Sequence, residues 1–157
     1  TVKEAVKLGA KAVGYTIYLG SKYEPEMLKQ FEDIEREAHK VKLPVIAWMY
    51  PRGKSVKKRS KEELLPYTTR TALELGADMV KVHWETDVKN LKWAIKSAGK
   101  CKVIIAGGSK ENEKQFLSNI VKANNSGVSG FAIGRNIWQH PNPIELTKKI
   151  KKIIWKN

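Results

Sequence analysis

The 157 residues carry 30 Lys and Arg against 16 Asp and Glu, a net charge of +14, with 41% hydrophobic residues and five Trp. That length fits one domain with room for a real core, and the apolar content excludes a disordered chain. No apolar run nears the roughly 20 residues of a membrane span and nothing at the start reads as a signal peptide, while the lone Cys101 excludes an internal disulfide and suits a reducing cytoplasm.

Such a positive charge invites a nucleic-acid partner. The lysines are scattered over nearly every polar face, however, with denser runs only at residues 54–61 and 148–156, and no RNA-binding or zinc-finger motif accompanies them. A solvated Lys-rich surface is the favoured reading. The chain opens on Thr1, and residues 4–8 read as the tail of a helix ending at Gly9, so the expectation is a piece of something longer.

Residues 12–18 form the first predicted strand, rich in β-branched and aromatic side chains. From Pro25, the apolar Met27, Phe31, Ile34, Ala38 and Val41 recur at helical spacing. Pro44 opens a continuous apolar strand at residues 45–50, of the kind buried on both faces, broken by Pro51-Arg52-Gly53. A basic loop leads to Ser60 and Glu63, placed to form a capping box for a helix that stops at Gly76. The third strand runs from Met79 to Trp84. Asp87 caps a helix ending at Gly99, a strand at 102–106 runs into Gly107-Gly108-Ser109, and Phe116, Leu117, Ile120 and Val121 mark the next helix. The last strand, residues 130–133, ends at Gly134-Arg135-Asn136, and Asn142 and Glu145 start a final helix. Five β/α units in succession predict an α/β fold with a parallel sheet, which a flavodoxin-like open sheet and part of a (β/α)8 barrel satisfy equally.

Either architecture collects its chemistry at the carboxyl ends of the strands. Lys81 stands out there, an amine in an apolar strand, Met79-Val80-Lys81-Val82-His83-Trp84. It lies either on a solvated or salt-bridged strand face, or in a desolvated site where a lowered pKa would let it attack a carbonyl and form a Schiff base. Tyr50, one β/α unit earlier, is either a packed ring with a satisfied hydroxyl or a proton carrier beside that amine. The turns at Gly107-Gly108 and Gly134-Arg135 offer unobstructed amides and a guanidinium, which together predict phosphate binding. His39, His83 and His140 are too scattered to suggest a metal site by spacing.

Taken in order, Gly14-Tyr15-Thr16-Ile17-Tyr18, Trp48-Met49-Tyr50-Pro51-Arg52-Gly53, Gly76-Ala77-Asp78-Met79-Val80-Lys81, Gly107-Gly108 and Gly134-Arg135-Asn136-Ile137-Trp138-Gln139 resemble the archaeal-type class I fructose-bisphosphate aldolases over essentially the whole chain. The resemblance implies a (β/α)8 barrel, a homo-oligomer, a phosphorylated sugar substrate, and neither metal nor other cofactor. It makes Lys81 the Schiff-base lysine and Tyr50 the proton donor and acceptor. Trp48 and Arg52 match substrate-contacting positions, while Ala106, Gly107, Gly108, Gly134 and Arg135 match phosphate-binding loops. His83, at the end of the Lys81 strand, joins the substrate-binding candidates. The family's glycine-containing segment after the lysine strand reads here as Trp84-Glu85-Thr86-Asp87, which puts contacts there in question. Residues 1–157 are expected to be the carboxyl-terminal portion of the barrel, lacking the first three strands, so that an open sheet would expose two edges and an apolar face. The nearest rival is the related 2-amino-3,7-dideoxy-D-threo-hept-6-ulosonate synthase, which shares the lysine, the tyrosine and a Tyr-Pro-Arg-Gly segment; Gly14-Tyr15-Thr16-Ile17-Tyr18 and Trp48 favour the aldolase. A basic nucleic-acid-binding protein and an inactive remnant are the remaining alternatives.

Overall fold

A computed structural model describes residues 1–84 and 87–155; Glu85 and Thr86, where the sequence departs from the aldolase pattern, lie outside the described residues. The elements follow one another as α1 (Val2–Lys7), β1 (Val13–Leu19), α2 (Glu24–Lys40), β2 (Val45–Pro51), α3 (Lys61–Glu74), β3 (Met79–His83), α4 (Val88–Ser97), β4 (Lys102–Ala106), α5 (Glu113–Asn125), β5 (Gly130–Ala132), α6 (Arg135–Trp138) and α7 (Pro143–Ile154). Each predicted strand is present within a residue or two. Residues 4–8 close α1 as expected, Lys7 being its last residue and Leu8 its C-cap, and Thr1 and Glu4 form a capping box at its start. The basic loop is partly ordered as a 3-10 turn, Ser55–Lys58, pinned by buried Val56. Asn142 does not cap α7 through its side chain; its N–H instead donates to His140 Nδ1 at 3.0 Å.

The five strands are all parallel and lie in the order β1-β2-β3-β4-β5. This order separates the two architectures that the strand pattern alone left open, and it is the partial barrel that the resemblance implies. Right-handed crossovers that always step to the next strand leave every helix on one face, whereas a doubly wound sheet reverses direction and covers both. The chain is five units of a (β/α) barrel.

Strand alternation then sorts the side chains. Ile17, Leu19, Val45, Ala47, Met49, Val80, Val82, Val103 and Ile105 point toward the helices, none more than 4% exposed, and pack with Phe31 and Ala38 of α2, Ala72 of α3 and Leu91 of α4. A second cluster, Phe116, Ile120, Leu146 and Ile150, clamps α5 to α7. The opposite face is uncovered. It is not the plain apolar surface expected, because beside Ile46 and Met79 it presents Gly14, Thr16, Tyr18, Trp48, Tyr50, Lys81 and His83.

Glycines end the helices where the chain must turn into a strand. At Gly76, φ is +79°, a left-handed conformation that closes α3 and delivers Ala77 and Asp78 directly to β3.

Candidate active site

The open face owes its layout to the register. Trp48 pairs with Lys81 and Lys81 with Ile104, so the amine and the indole share one level of neighbouring strands. Lys81 is half-buried, and its Nζ lies 4.8 Å from the centroid of the Trp48 ring. Desolvation is thus partial rather than complete. Among the described residues no carboxylate pairs with Lys81.

Tyr50 lies two residues beyond Trp48 on the same face, roughly 6.6 Å further toward the carboxyl ends. Its ring stacks at a tilt on Tyr18, centroids 5.8 Å apart, and the Arg52 guanidinium carbon stands 5.0 Å from the Tyr50 centroid. Its hydroxyl makes no hydrogen bond among the described residues. Tyr15, by contrast, points to the helix side and donates its O–H to Gln30 Oε1. The turn that holds Arg52 is locked by contact between two backbones. Gly53 N–H donates to Leu19 O at 2.9 Å, and a Cβ on Gly53 would fall 1.6 Å from the carbonyl carbon of Gly20. No other residue fits there.

The two glycine turns meet each other. Arg135 Nη2 donates to Gly108 O at 3.0 Å, and Asn136 Nδ2 donates to both Gly107 O and Ser109 O at 2.8 Å while its Oδ1 accepts from Glu111 N–H at 2.9 Å. The loop after β5 therefore shapes the loop after β4. Asn136 is only 4% exposed, and sequence reading, which fixed on the glycines and Arg135, did not single it out. Gly107 N–H is spent on Ala132 O at 3.0 Å, so it is not available to an anion. Gly108 has φ of +64°, and its N–H and that of Ser109 meet no protein acceptor among the described residues. A helix start directly follows the second turn, at Arg135, but not the first: α5 begins at Glu113, capped by Asn112. His83 is exposed and its ring lies against Gly108, with Cε1 3.3 Å from where a Cβ on that glycine would stand. Ala106 pairs with His83 across the β3–β4 register.

Two clefts open at these carboxyl ends. One of about 440 Å³ is bounded by Tyr50, Arg52, Leu64, Thr68, His83 and Asp87; another of about 270 Å³ runs from His83 past Gly107 and Gly108 to Asn119. Neither includes Lys81 or Trp48, which face the uncovered side of the sheet. The geometry thus brings together Lys81 with Trp48 and Tyr50 with Arg52, and sets His83 and Arg135 each against Gly108.

The other histidines and the thiol are structural. His39 bonds Glu35 at 2.7 Å and Asp78 at 2.8 Å. The Asp78 hydrogen bond is the chief reason its pKa is raised, with the charges of Asp78 and Glu35 adding to it. His140 bonds Glu113 at 3.1 Å, and burial pushes the Cys101 thiol up to about 12. Among the described residues no group of three potential metal ligands stands together, and no helix is long and apolar enough to cross a membrane.

Comparison with known proteins bears on the fold and the family. A class 1 fructose-bisphosphate aldolase of Thermoproteus tenax is 41% identical over 156 residues, 99% of this chain and 59% of that protein. The crystal structure of an archaeal fructose 1,6-bisphosphate aldolase superposes with a TM-score of 0.95 at 40% identity, covering 100% of this chain and 63% of the other. Another archaeal fructose-1,6-bisphosphate aldolase, whose catalytic Lys is covalently bound to the carbinolamine intermediate of its substrate, gives 0.93 at 40% identity over 98% of this chain and 62% of its own. The chain spans about three fifths of the length of these relatives. Residues 1–140 match the DeoC/LacD aldolases as a family, and with its parallel β/α sheet and its half-buried lysine at mid-strand, the chain belongs to that family.

Proposed function

We propose that this chain is the carboxyl-terminal part of a class I, Schiff-base fructose-bisphosphate aldolase, and that three further β/α units complete its barrel. One observation carries the reading: an amine and a phenol that, among the described residues, have no carboxylate and no hydrogen-bond partner lie on one face of adjacent parallel strands, near two interlocked glycine turns. The likeness to the archaeal aldolases supports it.

In the mechanism, neutral Lys81 adds through Nζ to the C2 ketone carbon of fructose 1,6-bisphosphate, and the carbonyl oxygen takes up a proton. The carbinolamine loses that oxygen as water, leaving a protonated iminium. Tyr50, or a water that it orients, removes the C4 hydroxyl proton. The C4 carbonyl forms, the C3–C4 bond breaks, and its electron pair passes into the iminium, releasing glyceraldehyde 3-phosphate and leaving an enamine on Lys81. Protonation at C3 and addition of water then release dihydroxyacetone phosphate and restore the amine. Arg52, Arg135 and the Gly108 and Ser109 amides would hold phosphate oxygens, the guanidiniums by charge and the amides by geometry. His83, Trp48 and the backbone from Ala106 to Gly107 and at Gly134 would shape the pocket around the sugar. The same reading gives a homo-oligomeric enzyme of glycolysis and gluconeogenesis in the cytoplasm.

Borohydride reduction with dihydroxyacetone phosphate, followed by peptide mass spectrometry, tests it. A triose-phosphate adduct on Lys81 is expected; labelling of a different lysine, or none in the completed barrel, would overturn the assignment. The 157-residue chain alone should turn over substrate slowly, and adding the three amino-terminal units should restore the rate. Full turnover without them would refute the completion.

A further inference from the structure

The indole that faces Lys81 has a seat of its own. A Cβ on Gly14 would fall 2.7 Å from Trp48 Cζ2 and 2.8 Å from Cε2, so the ring leans off β2 onto the bare backbone of β1. The register places Thr16, not Gly14, opposite Trp48; the side chain therefore reaches back along the strands to the one position on β1 where nothing projects. From there its face meets Lys81 Nζ from β3, 4.8 Å from the ring centroid. Three strands thus fix one contact. A ring face attracts a cation because its quadrupole is negative there, within about 6 Å.

We infer that Gly14 is a positioning residue: its missing side chain seats the Trp48 indole where the ring face favours whichever state of the Lys81 nitrogen is positively charged. The favoured states are the ammonium of the free chain and, on the Schiff-base reading above, the iminium. The carbinolamine between them is neutral. The contact therefore holds back the first addition and draws the carbinolamine forward to the iminium, the electron sink on which bond cleavage depends. Bulk at Gly14 would loosen this without touching substrate, which separates Gly14 from the residues that contact the sugar.

The test needs no substrate, so it stands or falls apart from the aldolase assignment. The 157-residue chain is treated at one fixed pH with a trace of acetic anhydride, which acylates only uncharged amines, and acetylation of Lys81 is read by mass spectrometry against exposed Lys40 as internal standard. Trp48→Leu, which keeps apolar cover but removes the ring face, should raise Lys81 labelling about two- to five-fold. Trp48→Phe, which keeps a ring, should raise it less. Gly14→Ala should behave like Trp48→Leu, and the smaller ring of Trp48→Phe in the Gly14→Ala background should return labelling to the Trp48→Phe value. Trp48 is 37% exposed, so its variants are expected to fold, and far-UV circular dichroism checks each one. Equal labelling in Trp48→Leu and Trp48→Phe would mean simple uncovering of the amine, and wild-type labelling in a folded Gly14→Ala would mean that the seat is irrelevant; either result overturns the inference.

Discussion

The two ends of the sheet treat their polar groups in opposite ways. At the amino ends, Asp78 Oδ2 accepts from Val45 N–H at 2.8 Å and from His39, whose other ring nitrogen meets Glu35. Every side chain of that cluster is answered by another, and the result ties α2 to β2 and β3. Toward the carboxyl ends, on the open face, the Tyr50 hydroxyl, the mid-strand Lys81 amine and the Gly108 amide have no hydrogen-bond or ion-pair partner among the described residues. Groups satisfied within the fold stabilise it, while groups without a partner at the rim of a barrel are where the proposed function places its ligand. The same division between a stabilising end and a reactive end is what barrel enzymes use.

Substitutions at the two ends should therefore fail differently. The largest effect is expected for Lys81→Met, which should abolish the borohydride-trapped adduct and lower turnover of the completed barrel on the order of 10⁵- to 10⁶-fold, with the urea midpoint almost unmoved. Next comes Tyr50→Phe. It keeps the stack on Tyr18 and the contact with Arg52 but removes the proton, so turnover should fall about 10²- to 10⁴-fold while adduct formation with dihydroxyacetone phosphate persists. Loss of both together would make Tyr50 a packing residue and blur the contrast.

Asn136 sharpens the comparison, because it is a fully answered group placed at the reactive end. Asn136→Leu would orphan Gly107 O, Ser109 O and Glu111 N–H in a position only 4% exposed. Each such group costs about 1–3 kcal/mol, so a loss of about 3 kcal/mol in urea unfolding is expected. Phosphate affinity should weaken with it, since the loop after β4 would lose its shape.

That residue also marks where sequence reading runs out. The strands were legible because apolar runs bounded by glycine and proline are local signals, and Lys81 was legible because an amine in such a run contradicts its surroundings. Asn136 gave no such signal: its partners lie 25 to 29 residues away along the chain. Gly14 likewise meets a ring on the neighbouring strand, a contact that no pattern along β1 encodes. The alternation of strands and helices could not choose between a barrel and a doubly wound sheet for the same reason, since strand order is decided by which neighbours pair and not by the strands themselves; only the ordered motifs, through their resemblance to the aldolases, implied the barrel. Asn142 shows the converse: a residue of the right type at the right spacing does not cap through its side chain, and its backbone N–H instead turns back to the His140 ring.

The smallest expected effect belongs to the amino end and depends on pH. Burial alone would raise the Asp78 carboxyl, but the hydrogen bonds from His39 and Val45 outweigh it and hold it below the usual carboxylate range. The same hydrogen bond raises His39. A histidine with a raised folded value contributes stability that is fully present below its unfolded pKa, about 6.5, and is lost as pH rises through the folded value; a depressed carboxylate contributes stability present above about 3.9 and lost as pH falls through its folded value. The pair therefore stabilises most between about pH 4 and 6.5. Both side chains are more than a third exposed, 38% for His39 and 43% for Asp78, so solvent screening keeps the contribution below about 1 kcal/mol. Asp78→Asn retains an oxygen for Val45 N–H but loses the charge. Its deficit against the wild type, read from urea midpoints, should be widest near pH 5.5 and should narrow toward both pH 8.5 and pH 3, whereas a deficit that widened toward alkaline pH would show that His39 is not the partner that matters.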